Sequence, residues 1–116
     1  MNLDEAIKSH TAWKLRLASF LQKPDGTLKE ADVRADNKCA LGQWIYGEGS
    51  AHSAMTEFAA LKNDHAHFHR TAADVVKRAQ SGARVAEEVA LGAQSEFAQA
   101  SSKVVAAISA LKRKVG

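Results

Sequence analysis

The sequence predicts an all-α protein, an antiparallel four-helix bundle of three long helices and one short helix carrying Cys39. Three observations lead there. Hydrophobic residues make up 46% of the 116-residue chain, many of them alanine, and Pro24 is the only proline. Alanine-rich, proline-poor composition favours closely packed helices. Apolar residues recur at spacings of three and four, the signature of an amphipathic helix. Glycine- and proline-bearing turns separate these runs. The length suits one domain, residues 1–116, with room for a core.

The first helix is predicted from about Asn2 to Gln22. Leu3, Ala6, Ile7, Trp13, Leu17, Phe20 and Leu21 form its apolar face, and Asp4 and Glu5 suit the positive end of its dipole. His10 falls inside the apolar series and faces the core. Alone, it reads first as a core histidine satisfied by a carbonyl and only second as a ligand. Lys23-Pro24-Asp25-Gly26 ends the helix in a turn. Thr27 to Ala35 reads as a short irregular or helical connection. Asp36 then reads as the N-cap of a short helix reaching about Tyr46, with Leu41, Trp44 and Ile45 on its apolar face. Cys39 becomes its third helical residue, where unpaired N–H groups are expected to lower the thiol pKa. Gly42, in mid-helix, suggests a close backbone approach. Gly47-Glu48-Gly49-Ser50 stops the helix.

The next helix is predicted from about Ser50 to Gln80. Met55, Phe58, Leu61, His65, Phe68, His69, Ala72, Val75, Val76 and Ala79 make one continuous stripe. His65 and His69 stand one turn apart on it. His67 lies off the stripe and His52 falls about 220° round from His65, so both are expected to be solvated. Ser81-Gly82 makes a further turn. The last helix is predicted from about Ala83 to Lys114, with Val85, Val89, Phe97, Val104, Val105, Ile108 and Leu111 buried and a break in register at Leu91-Gly92.

Charge and cysteine content narrow the function. The formal net charge is +3, with acidic and basic residues interleaved. Lys112-Arg113-Lys114 complements the end of the last helix, and no nucleic-acid partner is expected. No run approaches the ~20 apolar residues of a membrane span, and the acidic N-terminus lacks a signal core. A cytoplasmic protein without membrane insertion is expected. Cys39 is the single cysteine, so it is a buried thiol, a reactive thiolate or a metal ligand.

A histidine pair at i, i+4 is a common metal-binding arrangement and a weak signal alone. Here His10 and Cys39 face the same core as His65 and His69. Three imidazoles and one thiolate suit Zn²⁺ in a closed tetrahedral site, which leaves no open position for a substrate. The site is therefore expected to be structural or sensory, and the protein not an enzyme. A hemerythrin-like di-iron oxygen-binding bundle is the alternative, but it needs inward carboxylates, and Glu57 and Asp64 fall off the stripe. A zinc hydrolase would need a general base, and no glutamate stands at the metalloprotease spacing. Trp13 and Trp44 read as packing around the site. Asp36 reads as a helix cap or as an acceptor for a ligand histidine.

Three elements carry a family resemblance over nearly the whole chain: His10-x-x-Trp13-Lys14, Asp36-x-x-Cys39-x-Leu41-Gly42-x-Trp44-Ile45-Tyr46-Gly47, and His65-x-x-Phe68-His69. In order and spacing they resemble the chemoreceptor zinc-binding domain. That resemblance implies a homodimeric four-helix bundle with His10, Cys39, His65 and His69 as zinc ligands. It also implies a bacterial cytosolic sensory module serving chemotaxis or cyclic-di-GMP signalling, in which the zinc-bound cysteine responds to zinc or to hypochlorous acid and related oxidants. The chain carries no output domain of that kind, so its signalling partner is expected in trans or in a parent chain.

Overall fold

The computed structural model describes residues 2–22, 28–80 and 91–115, and all its regular elements are helical. They are α1 (Leu3–Gln22), α2 (Glu30–Arg34), α3 (Ala40–Tyr46), a 3₁₀ turn (Glu48–His52), α4 (Thr56–Gln80) and α5 (Glu96–Val115). The turns expected at Lys23–Gly26 and Ser81–Gly82, and the residues Thr27, Ala83, Val85 and Val89, lie outside the described residues. The three long helices pack on one another, and α2 lies against α4. Lys112, near the end of α5, hydrogen-bonds Asp4 in the first turn of α1, so those two helices run antiparallel.

The expected stripes are the buried ones. On α1, Leu3, Ala6, His10, Trp13, Leu17 and Phe20 are buried. On α4 the stripe from Phe58 to Ala79 is buried, with Met55 packed partly against it. Leu17, Leu61 and Phe68 are wholly inaccessible. Phe68 packs on Phe97 with ring centroids 5.4 Å apart, which joins the middle of α4 to the start of α5. Truncating any of these side chains to alanine would cost about 2–5 kcal/mol, from lost transfer energy and the cavity left behind.

Three boundaries differ from expectation, each for a local reason. The short helix begins three residues later than a cap at Asp36 would place it, and Cys39 itself is the N-cap, with an extended backbone (φ −83°, ψ 161°). The Asp36 carboxylate is engaged elsewhere, by the Tyr46 hydroxyl. The helix expected from Ser50 starts at Thr56, because the chain first makes the 3₁₀ turn over Glu48–His52. The last helix is not continuous through residue 92. After Leu91 the chain turns, and Ser95 restarts it: its hydroxyl accepts the N–H of Ala98 at 3.1 Å while donating to the Gly92 carbonyl at 2.7 Å. A serine hydroxyl is a good N-cap acceptor.

The connection before Cys39 is more ordered than its composition suggests. Val33 and Leu28 are buried. Arg34 bridges Glu30 on its own helix and Asp74 on α4, at 3.0 and 2.9 Å. Gln80 donates to the Leu28 carbonyl at 3.1 Å. These contacts pin the segment along α4.

Gly42 is where backbone approaches backbone. A Cβ there would lie 1.7 Å from the Asp36 carbonyl oxygen, a distance no rotamer can relieve. Gly42→Ala is therefore expected to destabilise the fold by about 3 kcal/mol or to displace residues 36–39. Chemical denaturation together with metal content would register either result.

Candidate metal centre

Each of the four proposed ligands reaches the centre for a sequence-encoded reason. His10 takes a core position in the α1 stripe, and α4 holds His65 and His69 one turn apart on its buried face. Cys39, capping α3, points back at α4 and accepts the Gly42 N–H on its sulfur at 3.3 Å. His10, His65 and His69 are at most 2% exposed, whereas Cys39 is half-buried.

The donor atoms converge. His65 Nε2 lies 3.1 Å from His10 Nε2 and 3.1 Å from His69 Nε2. Cys39 Sγ lies 3.3 Å from His65 Nε2 and 3.7 Å from His69 Nε2. All four donor atoms lie within 4.8 Å of one another. A zinc tetrahedron with bonds of ~2.0–2.1 Å to nitrogen and ~2.3 Å to sulfur has N···N edges of about 3.3 Å and N···S edges of about 3.6 Å. The two N···N separations are slightly shorter than the first, and the two N···S separations fall either side of the second. Among the described residues this is the group of histidine, cysteine and acidic side chains arranged to share an ion, and it contains no carboxylate.

Hydrogen bonding aims the lone pairs inward. His10 Nδ1 donates to the Ala6 carbonyl at 2.8 Å, and His69 Nδ1 donates to the Val33 carbonyl at 2.9 Å. Carbonyls only accept, so each ring carries its hydrogen on Nδ1 and presents a bare Nε2 to the centre. His65 differs: its Nδ1 is buried with no hydrogen-bond partner among the described residues. A buried polar atom without a partner is costly. Its ring is nevertheless held by close edge contacts with His10 and His69, at centroid separations of 5.0 and 4.5 Å. Trp13 stands edge-on to His69 at 6.3 Å. Trp44 instead packs on Phe58 and His52. His52 is thus half-buried against a ring, not fully solvated as expected, while His67 is exposed.

Electrostatics oppose positive charge on the rings. Burial lowers the pKa of His10 and His69 below the ordinary value. Burial, then the neighbouring His69 and His10, brings His65 down to about 3. The thiol goes the other way from the sequence expectation. Burial raises the Cys39 pKa and outweighs the N–H groups of Gly42 and Leu41 and that of Cys39 itself. In the metal-free protein the helix start does not by itself make a thiolate; a bound cation would.

Asp36 does not accept from a ligand histidine, since its carboxylate takes the Tyr46 hydroxyl at 2.6 Å. The acceptors behind the rings are main-chain carbonyls, which no side-chain motif announces.

Fold and site together define an all-helical domain with a buried three-histidine, one-cysteine centre. The model of one family, the chemoreceptor zinc-binding domain, matches residues 10–76. The match covers more than half of the chain, and the chain belongs to that family. It begins at His10 and continues past His69, enclosing all four residues. Comparison with curated proteins and with solved structures gave no match. Zinc is accordingly the metal this domain binds, and the donor set fits it.

The buried rings predict a pH dependence in the metal-free protein. All three imidazoles have depressed pKa values when folded, so below about pH 6.5 the unfolded chain binds more protons. Stability is intact above that pH and falls as the pH drops, the His65 contribution continuing down to about 3. Denaturation of zinc-free protein from about pH 8 to about pH 4 should show a loss approaching about 1.4 kcal/mol per pH unit for each ring that charges only when unfolded.

Proposed function

We propose that the domain is a zinc-dependent regulatory module in which His10, Cys39, His65 and His69 hold Zn²⁺ and Cys39 is the switch. The observation that carries this reading is the convergence of three imidazole rings and one sulfur within 4.8 Å in a buried site, with four of their separations between 3.1 and 3.7 Å, near tetrahedral edge lengths. Two of those nitrogens, on His10 and His69, are bare acceptors turned into the site, and His65 Nδ1 has no hydrogen-bond partner among the described residues. A fully protein-ligated site of this kind suits a structural or sensory role, and the domain is not an enzyme in this reading. The absence of a carboxylate from the cluster weighs against the di-iron alternative.

Bound zinc supplies a positive charge that keeps the Cys39 sulfur a thiolate. Three elements would then be tied through their side chains: α1 by His10, the start of α3 by Cys39 and α4 by His65 and His69. Structural zinc contributes on the order of 10 kcal/mol of apparent binding free energy, comparable to the stability of a whole domain. Cys39 is the most exposed of the four donors and the one that oxidants alter. With hypochlorous acid its thiolate would form an S–O bond and expel chloride: Cys–S⁻ + HOCl → Cys–SOH + Cl⁻, sulfur losing two electrons and chlorine gaining them. Sulfenic acid is a poor ligand, so the α3 end of the site would loosen. A second copy of the chain, as a homodimer, and an output protein of bacterial chemotaxis or cyclic-di-GMP signalling would read that change in the cytoplasm.

Metal analysis tests the assignment directly. Purified wild type should hold about one zinc per chain, and Cys39→Ala and His65→Ala should each lose it by more than about tenfold. Full retention by both variants would overturn the reading. Treating the zinc form with hypochlorous acid should release zinc in step with sulfenic acid at Cys39, measured by a zinc-sensitive dye and by trapping with dimedone. Under the same treatment Cys39→Ser should release no metal in response to oxidant.

A further inference from the structure

Of the four donors, Cys39 has the least secondary structure behind it. His10, His65 and His69 ride on helices of 20 and 25 residues. Cys39 ends a non-helical stretch and caps a helix of only 7 residues. Something must fix the sulfur to within a few tenths of an ångström if it is to complete the site.

We propose that the hydrogen bond from the Tyr46 hydroxyl to the Asp36 carboxylate is the clamp that holds Cys39 against the histidines, making Tyr46 and Asp36 positioning residues of the metal centre. The inference rests on the zinc-site reading above. Asp36 meets the short helix at two places. Its main-chain carbonyl lies against the Cα of Gly42, as close as backbone allows. Its side chain takes the Tyr46 hydroxyl at 2.6 Å, one turn further along. The chain from Asp36 to Tyr46 is thereby closed on itself with Cys39 inside, and the Gly42 N–H binds the sulfur from within the same ring.

Tyr46 is also tied to the histidine helix. The Lys62 ammonium sits over its ring, 5.2 Å from the centroid. Lys62 lies on α4, one turn before His65. A single side chain thus bridges the cysteine loop and the element that carries two of the other donors. Packing does not account for Tyr46, which is 49% exposed, an unusual degree for a large apolar ring in this chain. Its hydroxyl is a persistent donor, since the bond to Asp36 pushes its pKa up to about 12. Hydrogen bonds to a charged partner are roughly twice as strong as neutral ones.

The test compares Tyr46→Phe, Asp36→Ala and the double variant with wild type, using zinc and Co²⁺ as probes. Tyr46→Phe keeps the ring, the Lys62 contact and the core, and removes one donor. It should still bind one metal per chain with a nearly unchanged unfolding midpoint. Zinc transfer to a chelator should accelerate about tenfold, and the cobalt–thiolate absorption should shift or weaken. Asp36→Ala should show the same changes, and the double variant should be no worse than Asp36→Ala, the mark of a coupled pair. Release rates and cobalt spectra indistinguishable from wild type in Tyr46→Phe would overturn this inference alone, as would single effects that simply multiply in the double variant. A wild type that binds neither metal would overturn the zinc-site reading and this inference with it.

Discussion

Three imidazole nitrogens and a sulfur brought within 4.8 Å of one another, inside a core, are the constraint on which the rest of this structure depends. Two of the rings have committed their hydrogens to carbonyls behind them and turn bare Nε2 atoms into the centre. Burial keeps the rings from charging. The helices arrange themselves to permit this: α1 and α4 each turn their buried stripe toward the centre, and the α2–α3 segment is pinned along α4 so that Cys39 arrives at the same level.

Much of this was legible in the residues. His65 and His69 announce themselves by spacing and by membership of an apolar stripe, and His10 by interrupting another. Burial makes those positions readable, because a polar residue at a core position calls for a partner. Their separation across the sequence is what a helical fold with parallel and antiparallel neighbours easily closes. The all-helical class followed from the same periodicity.

What escaped prediction depends on interactions with no local signature. Asp36 is a favoured cap by type, yet its carboxylate is taken by a tyrosine ten residues on, and a cysteine caps the helix instead. The five residues of α2 hold too few apolar side chains to advertise a helix, and Val33 and Leu28 become core only because α4 lies beneath them. The break after Leu91 was visible as a lapse in register but not as a restart, which Ser95 provides. The Cys39 pKa shifts against the direction a helix start suggests because two effects compete there: exposed N–H groups favour the thiolate and burial opposes it. Burial is the larger, a comparison of magnitudes that depends on the packed neighbours and not on the residue's place in the chain.

The carbonyls of Ala6 and Val33 behind His10 and His69 have a consequence for how this site tolerates change. The groups that orient two of the three rings belong to the main chain, so they are present whatever side chain stands at residues 6 and 33. Substitutions there test packing alone and leave the acceptors in place. The orientation of the rings is thus buffered against point mutation at the residues that provide it. A side-chain scan would find those residues unremarkable in metal binding while the peptide groups beneath them went on holding the rings. Only a change that moves or replaces the peptide itself, such as an amide-to-ester exchange that weakens the carbonyl as an acceptor, would reveal the support.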